Sequence, residues 1–372
     1  NIVRMSDKKY LTSFKESLQY PSISFDGSKI VFIKGYRINL LDVAAGKSYE
    51  PKIELADSRI ANKNPYPVGR PNSFAVSPDG KKLAVSFRGL LFVSDSKGGF
   101  VKQLITPVDE RVDEVLWSND NKTLIYTRTN GGWTGIFKQM ADTPGSEKAV
   151  YTPESSVRSL TISPKNDRVA FLDGGKSLMI LDLASGKASE LAKHEFWAFQ
   201  GYGISFSNDG NFLTYTAVNI FERDVFVYDI KQNKVVNITN SANFENDPVF
   251  SSDGKSLYLL SNRMNSAFPR GASTMLYKVA LQKVDTPFES DEYDKLFGAK
   301  GAKRDSAIVI DPVNIHRRYT PVIGRGEQNN PFIVTRGDKS YLLFNSNHEG
   351  EWACYVQELK DWDQKPAQKI KG

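Results

Sequence analysis

The most constraining feature of this sequence is a short pattern that recurs at intervals of roughly forty residues. It reads apolar-x-apolar-Ser-x-Asp-Gly-Lys-x-apolar-x-apolar, and residues 74–85 and 248–259 are its clearest copies. Successive copies are marked by the turn residues Asp26, Asp79, Asp120, Asp167, Asp209, Asp253 and Asp338. A repeat of this length decides the whole fold, because each copy is a small unit that cannot bury its apolar face alone.

Each copy has the pattern of a β-hairpin followed by two further strands. Asp-Gly accepts a positive φ and makes a tight turn, while alternating apolar and polar residues on either side give strands with one buried face. A third strand follows, as at 225–230, and then a more polar fourth strand, as at 234–239. Four antiparallel strands per unit form a propeller blade. The sequence therefore predicts an all-β fold, a β-propeller of seven blades, or of six blades plus part of a neighbouring propeller.

The repeat also predicts where the units begin and end. Strands of a preceding or closing blade are expected in residues 1–17, and an insertion with a helical excursion and a flexible loop at 283–305. After the insertion, residues 306–311 are expected to return as the outer strand of the sixth unit. The units are placed near residues 18–55, 71–105, 112–151, 156–192, 199–240, 246–320 and 328–372. The first residues resemble neither a start nor a signal peptide, so we expect an excerpt of a longer protein.

Composition excludes several classes of protein. Hydrophobic residues make up 40% and charged residues 25% of the chain, which are ordinary values for a soluble globular protein and disfavour disorder. The net charge of +6 is scattered and forms no basic stripe, so no nucleic-acid partner is expected. Cys354 is the single cysteine, which excludes an intrachain disulfide and a multi-thiolate metal site. No apolar run is long enough for a membrane span.

The sequence carries no recognisable catalytic motif. A serine hydrolase needs a nucleophile on a strained turn, a nearby base and a group that orients the base. The chain has no G-x-S-x-G motif, and its three histidines, His194, His316 and His348, are scattered along it. Three scattered histidines do not make a zinc site, and no glycine-rich phosphate cradle is present. We therefore predict no catalytic residue, no metal and no cofactor. A sugar-binding or lyase propeller would need convergent ligand residues that the spacing does not assemble.

Candidate substrate-binding residues lie in the predicted connections between strands. Arg88, Arg128 and Arg263 follow second strands, near the turn into the third, so we expect them to gather on one face. Guanidinium groups there would hold the terminal carboxylate of a peptide, with solvated ion pairs as the alternative. Loop aromatics could line the same kind of face, with core packing as their alternative role. These aromatics are Trp133, Trp197, Phe199, Tyr202 and Trp352.

At this point the units resemble those of a known family. Residues 77–92 and 237–263 look like blades of the tricorn-type proteases, large serine peptidases with two β-propellers before their catalytic region. The acidic stretch at 293–297, followed by residues 309–321, is similar to an insertion and a long outer strand of the second propeller in these proteins. The blade motif alone is shared with TolB-like propellers. The resemblance, carried by the repeated blade motif together with the insertion, spans nearly the whole chain.

The resemblance implies a role in peptide degradation, with this region filtering or channelling substrates beside a serine peptidase. Family members carry a PDZ domain and a serine nucleophile with histidine and acidic helpers downstream, and no residue of this sequence matches those motifs. The implied partners are peptides or unfolded protein segments, those downstream domains, and further copies of the chain in a homo-oligomer. A TolB-like scaffold for protein–protein interaction is the alternative function. Relatives of this kind imply a periplasmic or otherwise exported location, with the cytoplasm as the alternative.

Overall fold

The computed structural model confirms the predicted all-β class. It describes residues 1–53, 69–197, 201, 203–264, 273–282, 308–360 and 364–371. Two compact units divide the chain, Asn1–Arg158 and Ser159–Gly372. Among the described residues, seven four-stranded antiparallel sheets follow one another, and each is formed by strands that are consecutive in the chain.

The first unit holds a two-stranded ribbon and three of the sheets. The ribbon is β1 (Val3–Arg4) and β2 (Lys9–Tyr10). The first sheet comprises β3 (Leu18–Ile23), β4 (Lys29–Lys34), β5 (Arg37–Asp42) and β6 (Lys47–Tyr49). The second sheet comprises β7 (Ser73–Val76), β8 (Lys82–Phe87), β9 (Leu90–Asp95) and β10 (Val101–Gln103). The third sheet comprises β11 (Val112–Trp117), β12 (Thr123–Asn130), β13 (Trp133–Met140) and β14 (Lys148–Tyr151).

The second unit holds the other four sheets, the first of which begins at the boundary between the units. The fourth sheet comprises β15 (Val157–Ile162), β16 (Arg168–Asp173), β17 (Ser177–Asp182) and β18 (Ala188–Lys193). The fifth comprises β19 (Ile204–Phe206), β20 (Phe212–Asn219), β21 (Glu222–Asp229) and β22 (Lys234–Asn237). The sixth comprises β23 (Glu245–Phe250), β24 (Ser256–Ser261), β25 (Met275–Ala280) and β26 (Tyr319–Pro321). The seventh comprises β27 (Gln328–Arg336), β28 (Lys339–Ser346), β29 (Ala353–Leu359) and β30 (Gln368–Lys369).

The Ser-x-Asp-Gly motif closes the turn between the first and second strands of a sheet. In the second sheet, the Ser77 hydroxyl donates to Asp79, and the backbone N–H of Lys81 donates to the same carboxylate oxygen at 3.1 Å. The N–H of Lys82 donates to the Ser77 hydroxyl at 2.9 Å, and Gly80 has a φ of 69°. The same serine–aspartate contact recurs at Asp26, Asp209 and Asp253. The repeated residues are therefore the ones that satisfy the backbone of the turn.

Apolar faces of successive sheets pack against each other within each unit. In the first unit, Leu91 of the second sheet clusters with Val115 and Leu124 of the third. In the second unit, Val227 of the fifth sheet clusters with Leu259 of the sixth. One four-stranded sheet buries too little surface by itself, so these contacts between sheets make up the core.

The structure differs from three sequence predictions about strands. Residues 308–311 form no strand, because the edge of β25 is paired instead with Tyr319–Pro321, while Ile308 and Ile310 pack against the core of the fifth and sixth sheets. Arg128 lies inside β12 and not after it, and Trp133 begins β13 and does not precede it, because these two strands pair up to Asn130 and Trp133. The insertion predicted at 283–305 lies outside the described residues.

Candidate functional site

The residues predicted to bind substrate share one position in their own sheets. They lie at or near the end opposite the Asp-Gly turn, where the second strand leads to the third and where the chain enters from the preceding sheet. Arg88 is in the β8–β9 turn, Arg128 lies near the end of β12, Trp133 begins β13, Trp197 lies between β18 and β19, and Arg263 follows β24. The first three belong to the first unit and the last two to the second.

The candidate residues other than Arg128 and Arg263 differ in their surroundings. Arg88 is exposed, has a φ of 52°, and places its guanidinium carbon 5.2 Å from the centre of the Phe87 ring. Trp133 is half-buried. The Trp197 indole N–H donates to the Glu195 carboxylate, and its ring packs against the core between the fourth and fifth sheets. Trp352 is 50% exposed. Phe199 and Tyr202 lie outside the described residues.

Arg128 forms a closed ion pair inside the first unit. Its Nε and Nη2 atoms donate to the two oxygens of Glu147 at 3.0 Å each, and Nη1 donates to the Thr129 carbonyl at 2.8 Å. The Tyr126 hydroxyl donates to the same carboxylate, and the guanidinium carbon stands 3.6 Å from the centre of the Phe137 ring. Both carboxylate oxygens are thereby paired, which is the geometry of a structural bidentate pair.

Arg263, in the second unit, also pairs with a carboxylate, but it contacts one oxygen of that carboxylate and not both. Its Nη2 donates to one oxygen of Glu245 at 3.0 Å, and its Nε donates to the Ser261 hydroxyl at 3.1 Å. The guanidinium carbon lies 3.2 Å from the centre of the Tyr319 ring and 5.3 Å from that of Tyr277. The two rings meet edge to face at 5.8 Å. We call Glu245, Tyr277 and Tyr319 the Glu245 box, with Arg263 as its occupant.

Three buried polar atoms of the Glu245 box have no hydrogen-bond partner within the described residues. They are Oε2 of Glu245 and the hydroxyls of Tyr277 and Tyr319. A buried polar group without a partner costs about 1–3 kcal/mol, and native proteins leave few of them. All three atoms belong to residues that surround the guanidinium of Arg263.

Burial dominates the electrostatics of the box. Burial raises the pKa of Glu245, although the Arg263 guanidinium beside it acts in the opposite direction. Burial likewise raises the pKa of Tyr277 and of Tyr319, so both phenols are neutral at physiological pH. The box thus offers one carboxylate, two neutral hydroxyls and two ring faces, a combination suited to a cation.

A rigid network holds the carboxylate of the box in place. Asp224 is fully buried and accepts a hydrogen bond from the backbone N–H of Ser241 at 3.0 Å and one from the Thr239 hydroxyl at 2.7 Å. The side-chain amides of Asn219 and Asn237 donate to its other oxygen. The Ser241 hydroxyl in turn donates to Glu245 at 3.1 Å. The fifth sheet therefore orients a binding group of the sixth.

One set of residues resembles a catalytic triad without being able to act as one. The Ser346 hydroxyl lies 2.9 Å from Nδ1 of His348, whose Nε2 is 3.9 Å from Glu349. Ser346 is fully buried, and its oxygen accepts hydrogen bonds from the Gln328 amide and the His348 backbone N–H. A hydroxyl enclosed in this way cannot reach a substrate carbonyl.

Among the described residues, no three His, Cys, Asp or Glu side chains are grouped as the ligands of a metal ion would be. The same part of the chain contains no helix with the length and hydrophobicity that a membrane crossing requires.

Sequence reasoning missed the three residues of the Glu245 box. Glu245 begins β23, Tyr277 belongs to β25 and Tyr319 begins β26, so three strands of one sheet supply them. One signal was available, since Glu245 is an acidic residue at the first position of an inner strand. The long separation in sequence hides the two tyrosines.

This chain is similar in sequence to two proteins whose names describe a protease and a peptidase. The tricorn protease of Thermoplasma acidophilum is 24% identical over 385 residues, covering 94% of this chain and 33% of that protein. The uncharacterized peptidase YuxL of Bacillus subtilis is 27% identical over 216 residues, covering 56% of this chain and 30% of that protein. No protein-family model matches the chain.

The chain is also similar to solved structures. The crystal structure of the tricorn protease matches 97% of this chain and 36% of that chain, with a TM-score of 0.57 and 17% identity. TolB from Acinetobacter baumannii matches 93% of this chain and 80% of that chain, with a TM-score of 0.45 and 12% identity.

These findings confirm the resemblance to tricorn protease and the β-propeller fold of four-stranded antiparallel blades. The chain is a propeller scaffold. It spans about a third of the length of the curated relatives that it matches.

Proposed function

We propose that this chain is the non-catalytic propeller region of a tricorn-like serine peptidase, and that it gates or orients peptide substrates for a catalytic domain of the same protein. The observation that carries the proposal is the similarity to tricorn protease along 94% of this chain and only 33% of that protein. A similarity of that extent is expected of one structural region of a larger enzyme.

The described residues support binding without cleavage. Ser346 and His348, the pair nearest to a nucleophile and its base, are arranged so that the hydroxyl is enclosed. The second unit instead offers a buried carboxylate, Glu245, at the end of the sixth sheet opposite its Asp-Gly turn. The rings of Tyr277 and Tyr319 lie beside the Arg263 guanidinium that pairs with it.

The same proposal covers partners and location. PDZ and peptidase domains of the same polypeptide would receive the bound peptide, and a homo-oligomer would arrange several such regions together. Export to the periplasm is proposed as well, consistent with a chain that has a single cysteine. Light scattering of the purified protein and fractionation of its natural host test these two points.

The test uses a matched pair of substrates, reduced carboxymethylated α-lactalbumin and the native protein, each labelled with fluorescein. We expect saturable binding of the unfolded form in anisotropy titrations, weak binding of the native form, and no new fragments by mass spectrometry. Fragments produced by this chain alone would contradict the proposal. Binding of the folded protein in preference to the unfolded one would favour a TolB-like scaffold instead.

A further inference from the structure

We infer that the Glu245 box is a recognition site for a basic side chain of a bound peptide, and that Arg263 occupies it when no peptide is present. The inference rests on the proposed function and names its class of substrate, which is peptides that carry lysine or arginine. It concerns one site in the second unit.

The chemistry of the box selects a cation. A guanidinium or ammonium group is attracted to ring faces within about 6 Å and forms its strongest hydrogen bonds with a carboxylate. Arg263 already makes both kinds of contact, with the Tyr319 ring at 3.2 Å and with Glu245 at 3.0 Å. A peptide arginine or lysine would find the same partners, because the chain's own arginine shows that the space and polarity suit such a group.

The comparison with Arg128 explains why Arg263 is the arginine that can leave. Arg128 pairs with both oxygens of Glu147, and 8% of its side chain is exposed. Arg263 pairs with one oxygen of Glu245, and 22% of its side chain is exposed. Arg263 also lies in a connection between strands, whereas Arg128 lies within β12.

The unpaired atoms indicate what an incoming peptide would gain. Arg263 leaves Oε2 of Glu245 and the hydroxyls of Tyr277 and Tyr319 without partners. An ammonium has three donors and a guanidinium five, enough for both carboxylate oxygens. Arg263 is held by its place in the chain and pairs with one of them, whereas a ligand cation is free to take the two-oxygen geometry that Arg128 adopts with Glu147.

The experiment compares two labelled unstructured peptides that differ only in lysine and arginine replaced by glutamine. We expect the basic peptide to bind the wild-type protein at least tenfold more tightly in anisotropy titrations. Equal affinity for the two peptides would overturn the inference while leaving the proposed function intact, whereas failure of both peptides to bind would count against the proposed function itself.

Variants then locate the effect. Tyr319→Phe keeps the ring and removes one hydroxyl, and Glu245→Gln removes the charge; each should reduce the preference for the basic peptide severalfold. Arg336→Ala, an exposed arginine beside the seventh sheet's first turn, is the matched control and should leave the preference unchanged. A preference that persists in both box variants would overturn the assignment.

Chemical rescue gives a second readout that does not depend on peptide binding. Arg263→Ala should gain thermal stability in a saturable way with acetyl-arginine amide and not with acetyl-glutamine amide. The double variant Arg263→Ala with Glu245→Gln should lose that response. Equal stabilisation by both amides, or none by acetyl-arginine amide, would contradict a cation site.

Discussion

Ile220, in the turn between β20 and β21, has a backbone conformation that is unfavourable for its branched side chain. Ile220 has a φ of 63° in a two-residue turn closed by the pair Asn219 and Glu222. Such turns favour glycine, and a β-branched residue at positive φ is an outlier. Ile220 is also 88% exposed and Phe221 83% exposed, so neither side chain offsets the strain by packing. We therefore expect Ile220→Gly to stabilise the protein.

The size of the gain follows from two opposing contributions. A residue held in a disfavoured backbone region costs of order 1–3 kcal/mol, which glycine relieves. Glycine also raises the conformational entropy of the unfolded chain, which lowers the stability by about 0.4–1 kcal/mol. The net expectation is a gain of about 1 kcal/mol. For a unit the size of Ser159–Gly372, this corresponds to a rise in Tm of roughly 2–4 °C.

Differential scanning calorimetry of the wild type and the variant measures this gain. Phe221→Gly is the control: it also removes an exposed apolar side chain and adds the same flexibility, but φ at Phe221 is not positive. The control should be neutral or slightly destabilising. If Ile220→Gly left Tm unchanged or lowered it, or if both variants shifted Tm equally, strain at Ile220 would not be the cause.

Three further outcomes follow from the structure. Arg128→Ala leaves the half-buried Glu147 without its arginine and should lower the unfolding free energy by about 2–3 kcal/mol in urea titrations; a loss below about 1 kcal/mol would show that the pair is not structural. Asp224→Ala leaves several buried donors unpaired and should destabilise by more than about 2 kcal/mol, whereas an unchanged midpoint would contradict the network drawn around Ser241. The Ser24 hydroxyl and neighbouring donors hold the pKa of Asp26 at about 2, below its ordinary 3.8, so its stabilising contribution is complete above pH of about 4 and is lost as the pH falls through about 2. Asp26→Asn should therefore narrow the difference in Tm between pH 5 and pH 2.5, and an identical difference in both proteins would refute the linkage.

The fold was predictable because its information is local. The Ser-x-Asp-Gly residues fix the first turn of four sheets through contacts within about five positions, as at Ser77 and Lys82, and the alternating strands on either side follow. The outer strand of the sixth sheet was not predictable, because residues 308–311 and 319–321 both carry apolar residues, and pairing with β25 decides between them. The length of β12 was also not predictable, because pairing between Arg128 and Gly135 extends that strand through Arg128.

The candidate site was less predictable than the fold. Arg263 could be identified because it follows a recognisable strand. Its partners Tyr277 and Tyr319 come from strands separated by a long stretch of sequence, and nothing in a single sequence shows that they converge. The sequence also does not distinguish Arg128 from Arg263. The two differ in the structure, because Arg128 pairs with both oxygens of its carboxylate partner and Arg263 with one.

Hydrogen–deuterium exchange with a saturating unfolded, lysine-containing peptide locates bound peptide on the intact chain. Binding in the Glu245 box should slow exchange at residues 241–246 and 258–264, around Glu245 and Arg263, and leave exchange unchanged at the Asp-Gly turns near residues 207–212 and 251–256. Slower exchange at those turns, or no change anywhere at saturation, would contradict binding in the box.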